Sequence, residues 1–253
     1  MQKIFLVIVV LTVILSACAP KSIAPLPVGV TQTTGDSGSL VINSTESAPT
    51  PASGGVAIEN DECDNPYYPV VNGAWWQYSI TTGASPTHTM SASADKTFTI
   101  TIDGGQDIFT IDGSCTDAGI ILLEVPGISS TYKGEGGGST LTTINDDGVT
   151  LPNDVQVGDD WSQSISVNAD AGAGALSAHI ETNYKAIGFE VISTPTGLIN
   201  ALKVEQTGTL NMGGEIALDI HGYIWYGQGI GVVKTTVDGS FEATLATYNI
   251  PQP

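Results

Sequence analysis

The chain has 253 residues, 26 of them acidic and seven basic, for a formal net charge of −19 at pH 7. All seven basic residues are lysines. Such a surface is poorly suited to nucleic acid, whose affinity for proteins comes largely from cationic contacts with phosphate. It would also be repelled by anionic lipid headgroups, and its simplest role is to keep an exported chain soluble.

The chain begins with Lys3 and an apolar run, Ile4 to Leu15, interrupted only by Thr12, with the small residues Ser16 and Ala17 behind it. Charged, apolar and small-residue regions in that order form a secretory signal pattern. The run has 12 residues, whereas a membrane-crossing helix needs about 20. Leu15-Ser16-Ala17-Cys18 resembles the lipobox of bacterial lipoproteins: Leu, a small residue, Ala or Gly, then Cys. The resemblance implies cleavage before Cys18 and a diacylglyceryl thioether on its sulfur. A thiolate is a good nucleophile for taking up a lipid, and two acyl chains suffice for stable anchoring. Residue Ala19 is not the aspartate that, in such lipoproteins of two-membrane bacteria, favours inner-membrane retention.

Three segments follow from this: a signal peptide 1–17, a lipidated cysteine and tether 18–58, and one β domain 59–253. The tether is rich in Ser, Thr, Pro, Gly and Ala, with one short apolar patch at Leu40-Val41-Ile42. Such a composition buries too little apolar surface to offset chain entropy, so disorder is expected. Gly35-Asp36-Ser37-Gly38-Ser39 resembles the nucleophile motif of chymotrypsin-like proteases, but no histidine precedes it to serve as a base. With Cys18 lipidated, Cys63 and Cys115 remain as an even pair in an oxidising compartment, which predicts a disulfide.

From Trp76 the alternation of Trp76, Tyr78 and Ile80 with polar neighbours predicts a half-buried strand. Phe98, Ile100 and Ile102 repeat the pattern, and Asp103-Gly104-Gly105 then predicts a hairpin into Asp107–Ile111. Further strands are predicted over 120–124, 141–144, 161–167, 176–184, 185–193, 199–210, 215–226, 232–237 and 241–248. No window carries a sustained helical period. The fold class is therefore all-β, an antiparallel curved sheet or partly open β-barrel, with a β-sandwich as the alternative. Gly73-x-x-Trp76-x-x-Ser79-Ile80 is echoed by Gly158-x-x-Trp161-x-x-Ser164-Ile165, each reading as a turn into a strand anchored by an indole.

Three motifs occur in order: Tyr68-Pro69-x3-Gly73-x2-Trp76-x-Tyr78, Thr194-Pro195-x-Gly197-x3-Ala201-Leu202-Lys203-Val204-Glu205, and Trp225-Tyr226-x2-Gly229-Ile230-Gly231-x-Val233-Lys234. Together they resemble a widespread group of exported bacterial lipoproteins and periplasmic proteins of uncharacterised function. That resemblance implies a curved antiparallel sheet and carries no catalytic residue over.

Candidate chemistry is sparse. His179 shares strand parity with Glu181, and His221 with Asp219 and Glu215, so imidazoles and carboxylates could converge on one face for acid/base or metal work. The other reading is a solvated outer face. Turn aspartates (Asp103, Asp112, Asp146, Asp147, Asp159, Asp160) could hold calcium, but Asn145-Asp146-Asp147-Gly148 lacks the spaced ligands and closing glutamate of a calcium loop, and turn chemistry explains them better. The run Gly134–Gly138 reads as a flexible loop. Trp75, Trp76, Tyr78, Trp225 and Tyr226 are core or, facing outward, a platform for an apolar ligand or glycan. No cofactor or metal is expected. The expected role is a membrane-anchored, non-catalytic binding or structural module of the cell envelope, with an envelope protein among its possible partners. The alternatives are a lipid carrier with a concave apolar face and an enzyme using the His179/His221 face.

Overall fold

A computed structural model describes residues 63–93, 95–105, 108–123, 131–134, 137–170, 175–213, 216–238 and 241–251. Cys18 with its lipobox, the tether and Glu215 lie outside the described residues. In chain order the strands are β1 (Trp75–Ile80), β2 (Thr87–Ala92), β3 (Thr97–Asp103), β4 (Ile108–Cys115), β5 (Gly119–Leu122), β6 (Thr131–Gly134) and β7 (Gly137–Gly148). Then follow β8 (Leu151–Pro152), β9 (Asp160–Asp170), β10 (Ala175–Thr194), β11 (Gly197–Met212), β12 (Ile216–Gly227), β13 (Gly231–Val237) and β14 (Phe241–Asn249).

Every pairing between them is antiparallel. The order across the sheet is β3-β2-β1-β14-β13-β12-β11-β10-β9-β7-β6-β4-β5-β8, and β3 also pairs with β4. Most neighbours are consecutive in sequence, as short connections dictate. The strands form one curved antiparallel sheet. Among the described residues, β4 pairs with β6 over Ile108–Thr110 and with β5 over Gly113–Cys115.

Alternation drives the packing. On β11, Leu202, Val204 and Gln206 are buried while Lys203 and Glu205 between them are half-buried, the period-2 pattern of a strand with one core face. Met90, Leu151, Leu202, Val204, Val233 and Leu245 are among the most deeply buried side chains of the main core. Truncating such a leucine to alanine typically costs about 2–5 kcal/mol. A smaller cluster of Ile165, Val167, Ile180 and Leu210 fills the far ends of β9–β11. The disulfide Cys63–Cys115 is formed and ties the start of the domain to the end of β4.

Several expectations need correction. The segments read as two strands, 176–184 and 185–193, form one 20-residue strand, β10. A bulge between Ala186 and Gly188 moves the later residues to the opposite face, which breaks the phase without breaking the strand. Both described ends of the glycine run lie in strands, Gly134 pairing with Gly137 and Lys133 with Gly138, while 135–136 lie outside the described residues. Asp146 and Asp147 lie in β7 rather than in a turn. The strand β2 was not anticipated, because Met90 is its only large apolar residue.

Candidate functional site

Strand parity places Asp219, His221, Tyr223 and Trp225 of β12 on one face. In register with them on β11 stand Thr209, Thr207, Glu205 and Lys203, and on β13 Lys234 stands beside Trp225. The Lys203 ammonium lies 4.6 Å from the Tyr223 ring centroid and 5.0 Å from that of Trp225, and Lys234 lies 5.3 Å from the latter. Glu190 on β10 accepts hydrogen bonds from Trp225 Nε1 (3.1 Å) and pairs with Lys203 Nζ (3.3 Å). The indole hydrogen bond first, and then Lys203, hold the Glu190 carboxyl below the usual carboxylate range. Lys234 in turn pairs with Glu242 at 2.9 Å.

The ladder ends at an imidazole between two carboxylates. His221 Nδ1 meets Asp238, and Nε2 stands 3.4 Å from Glu205 Oε1, which also accepts the Tyr223 hydroxyl at 3.4 Å. The hydrogen bond to Asp238, then that to Glu205, raises the His221 pKa. Asp219 is exposed two residues away.

His179 has different partners: Ser166 Oγ at 3.0 Å on Nδ1 and Glu181 Oε1 at 3.3 Å on Nε2. It is in register with Asn211 of β11, whereas His221 is in register with Thr207. Four residues of strand, about 13 Å, separate those positions. The structure thus divides the four candidates into a His179–Glu181 pair and a His221 cluster flanked by Asp219. Among the described residues no group of three or more His, Cys, Asp or Glu is arranged to hold a metal ion.

Beside the His179–Glu181 pair, a depression of about 360 Å³ is lined by Asp147, Ser162, Ser164, Glu181 and Asn183. A second, of about 150 Å³, shares Asn183 and adds Asp160, Lys185, Glu205 and Thr207. Both offer hydroxyl, carboxamide and carboxylate groups, the equipment for holding a polar neutral or cationic ligand by hydrogen bonds. Sequence reasoning missed them, because their lining comes from four strands whose register no local pattern specifies. The five aromatic residues named as a candidate platform are not open: Trp76, Tyr78, Trp225 and Tyr226 are buried and Trp75 is half-buried.

The motif residues converge on one junction. Trp76 Nε1 donates to the Ile230 carbonyl at 2.6 Å, and a side chain at Gly231 would meet that indole and Pro69. The profile of the DUF3108-like family matches residues 75–238, the span from β1 to the end of this ladder. The chain belongs to the DUF3108-like family. No curated protein matches the sequence.

Among solved structures, this DUF3108-like chain is similar to a hypothetical lipoprotein from Parabacteroides distasonis (16% identity, TM-score 0.46, covering 73% of this chain and 99% of that one). It is similar to a hypothetical exported protein with a YmcC-like fold from Bacteroides fragilis (12% identity, TM-score 0.40, 73% and 99%). A third is the hypothetical lipoprotein YmcC of Escherichia coli (8% identity, TM-score 0.40, 73% and 90%).

Proposed function

We propose that the mature chain is a lipid-anchored, non-catalytic binding module of the cell envelope, held to the membrane through Cys18. The observation that carries the binding role is the polar depression on β7, β9 and β10, where Asp147, Ser162, Ser164, Glu181 and Asn183 line one recess. A lipid carrier needs a deep apolar cavity, whereas the two depressions described above are lined mainly by polar side chains. Acid/base catalysis needs a base, its orienting group and a reacting group together. Here His179 and His221 instead spend their ring nitrogens on neighbours of their own strand or the next. The lipobox Leu15-Ser16-Ala17-Cys18 supports the anchor.

Metabolic labelling with an alkyne fatty acid, followed by native mass spectrometry of the purified envelope form, tests both halves. The expected result is a label that disappears in Cys18→Ser and a polar adduct that weakens in Glu181→Ala with Asn183→Ala. Unchanged labelling of Cys18→Ser sinks the anchor. An acyl-chain adduct retained by the doubly substituted protein sinks the polar binding role in favour of the carrier.

A further inference from the structure

Three neighbouring strands each interrupt their inward-facing apolar series with a polar residue. On β9, Gln163 stands between Trp161 and Ile165, and on β10, Thr182 stands between Ile180 and Tyr184. On β11, Gln206 follows Val204, and Gly208 then precedes Leu210. Register sets these residues side by side. Gln163 faces Thr182, Thr182 faces Gly208, and Gln206 faces Tyr184 on β10 and Gly222 on β12. Tyr184 and Val204 belong to the main core, whereas Ile165, Ile180 and Leu210 belong to the smaller cluster. A polar stratum therefore separates the two apolar clusters.

Among the described residues six polar side chains are buried: Asn65, Thr150, Gln163, Thr182, Thr194 and Gln206. Four of them hold hydrogen bonds through their side chains. Asn65 donates to the Pro152 carbonyl, and Thr194 to that of Gly197. The Thr150 hydroxyl donates to Gln163 Oε1 at 2.9 Å, and Gln163 Nε2 donates to the Leu122 carbonyl at 2.9 Å. Thr182 and Gln206, only 6% and 5% exposed, have no side-chain hydrogen bond to any described residue. Yet no side-chain nitrogen or oxygen of the described residues is sealed off without a partner. Both groups must therefore border space that water can enter.

We propose that Thr182 and Gln206 together bind an internal water molecule between β10 and β11. Buried polar groups are rarely left unsatisfied, and an ordered water making about three hydrogen bonds is the usual remedy. The two residues stand diagonally across the β10–β11 ladder, where side chains start about 7 Å apart. A hydroxyl, a water and a carboxamide fill that span in series. Gly208 beside Thr182 and Gly222 beside Gln206 bring no side chain into their rows to occupy the space. The ligand must be neutral, because none of the six buried polar side chains is ionisable and an ion would find no counter-charge there. It must also donate and accept, as a hydroxyl facing a carboxamide requires. Strand alternation turns Glu181 and Asn183, on either side of Thr182, to the outer depression. The internal site does not depend on that depression's binding role.

Oxygen-17 magnetic relaxation dispersion of the full mature protein in neutral detergent counts its long-lived internal waters. Thr182→Val and Gln206→Leu should each lower that count by about one, and the double variant by no more, because both remove the same molecule. Thr182→Ser keeps the hydroxyl and should keep the water, as should Ser79→Ala on the exposed face of β1. Where Gln206→Leu does not fold, Gln206→Met takes its place. An unchanged count in the Thr182→Val and Gln206 variants overturns the proposal. So does a loss that is additive in the double variant, which would mean two separate hydration sites. Native mass spectrometry provides the last arm. An organic adduct lost with the Gln206 substitution, but kept in Glu181→Ala with Asn183→Ala, would put a larger molecule in the space and overturn the proposal too.

Discussion

The phenol of Tyr78 on β1 donates a 2.9 Å hydrogen bond to the backbone carbonyl of Val232 on β13, 154 residues away in sequence. With the Trp76–Ile230 bond beside it, the first strand is pinned across β14 to the β12–β13 hairpin. Burial pushes the Tyr78 pKa up, so the hydroxyl stays a donor at any ordinary pH. Replacing Tyr78 by Phe leaves the carbonyl of Val232 without that donor and should cost about 1–3 kcal/mol. Urea denaturation followed by tryptophan fluorescence measures it, and a loss below experimental error would mean that water takes over the bond.

The Cys63–Cys115 bridge closes a loop of sequence separation 52. Chain entropy alone assigns about 4 kcal/mol to such a closure. The Cys63→Ser, Cys115→Ser protein should therefore lose most of that stability under the same denaturation, and the unsubstituted protein should match it in reductant.

His88 and His221 should titrate in opposite directions. Burial beside Tyr78, at a ring-centroid distance of 4.7 Å, lowers the His88 pKa to about 4. A histidine protonated more readily when unfolded makes stability fall as pH drops from about 6.5 to 4. The loss is at most about 3 kcal/mol. His88→Leu should flatten that acid limb. For His221 the raised pKa works the other way: its contribution is complete below the unfolded value of 6.5 and is lost as pH rises through the folded one. Imidazole resonances followed by NMR check both, and Asp238→Asn should move His221 downward and leave His88 in place.

Glycine is required at one crossing and dispensable at another. A Cβ on Gly208 would stand 2.2 Å from the Glu181 carbonyl oxygen, a backbone atom held in the β10–β11 ladder. Gly208→Ala should destabilise by about 1–3 kcal/mol. Gly188 has nothing within 4 Å of its Cβ direction, so Gly188→Ala should stay within about 0.5 kcal/mol of the unsubstituted protein. Equal effects at the two sites would contradict the close approach of β11 to β10 at Gly208.

Local patterns carried much of the strand reading. The Gly-x-x-Trp-x-x-Ser-Ile echo marks two equivalent strand starts. Gly73 and Gly158 take positive φ (80° and 101°) just before β1 and β9. Each indole donates to a distant carbonyl, Trp76 to Ile230 and Trp161 to Thr150. The β3–β4 hairpin was visible in its Asp-Gly-Gly joint for the same local reason. The continuity of β10 was hidden, because its apolar residues move from even to odd positions after Ala186, and only the unbroken pairing with β11 reveals that the ladder goes on. The depression between β7 and β10 was invisible too. Asp147 reads as a turn residue, and Glu181 and Asn183 as solvent-facing ones, until register sets them around one space.

By itself, then, the sequence determined an acidic, sheet-built chain whose β domain carries one pair of cysteines, because charge, period-2 alternation and short joints act between residues close in the chain. Which residues face each other was decided only by the tertiary structure: Glu190 under Trp225, His221 between Glu205 and Asp238, His179 apart from both. Those contacts depend on strand order and on single-residue bulges, and a one-residue slip in register would undo each of them while leaving every local pattern intact.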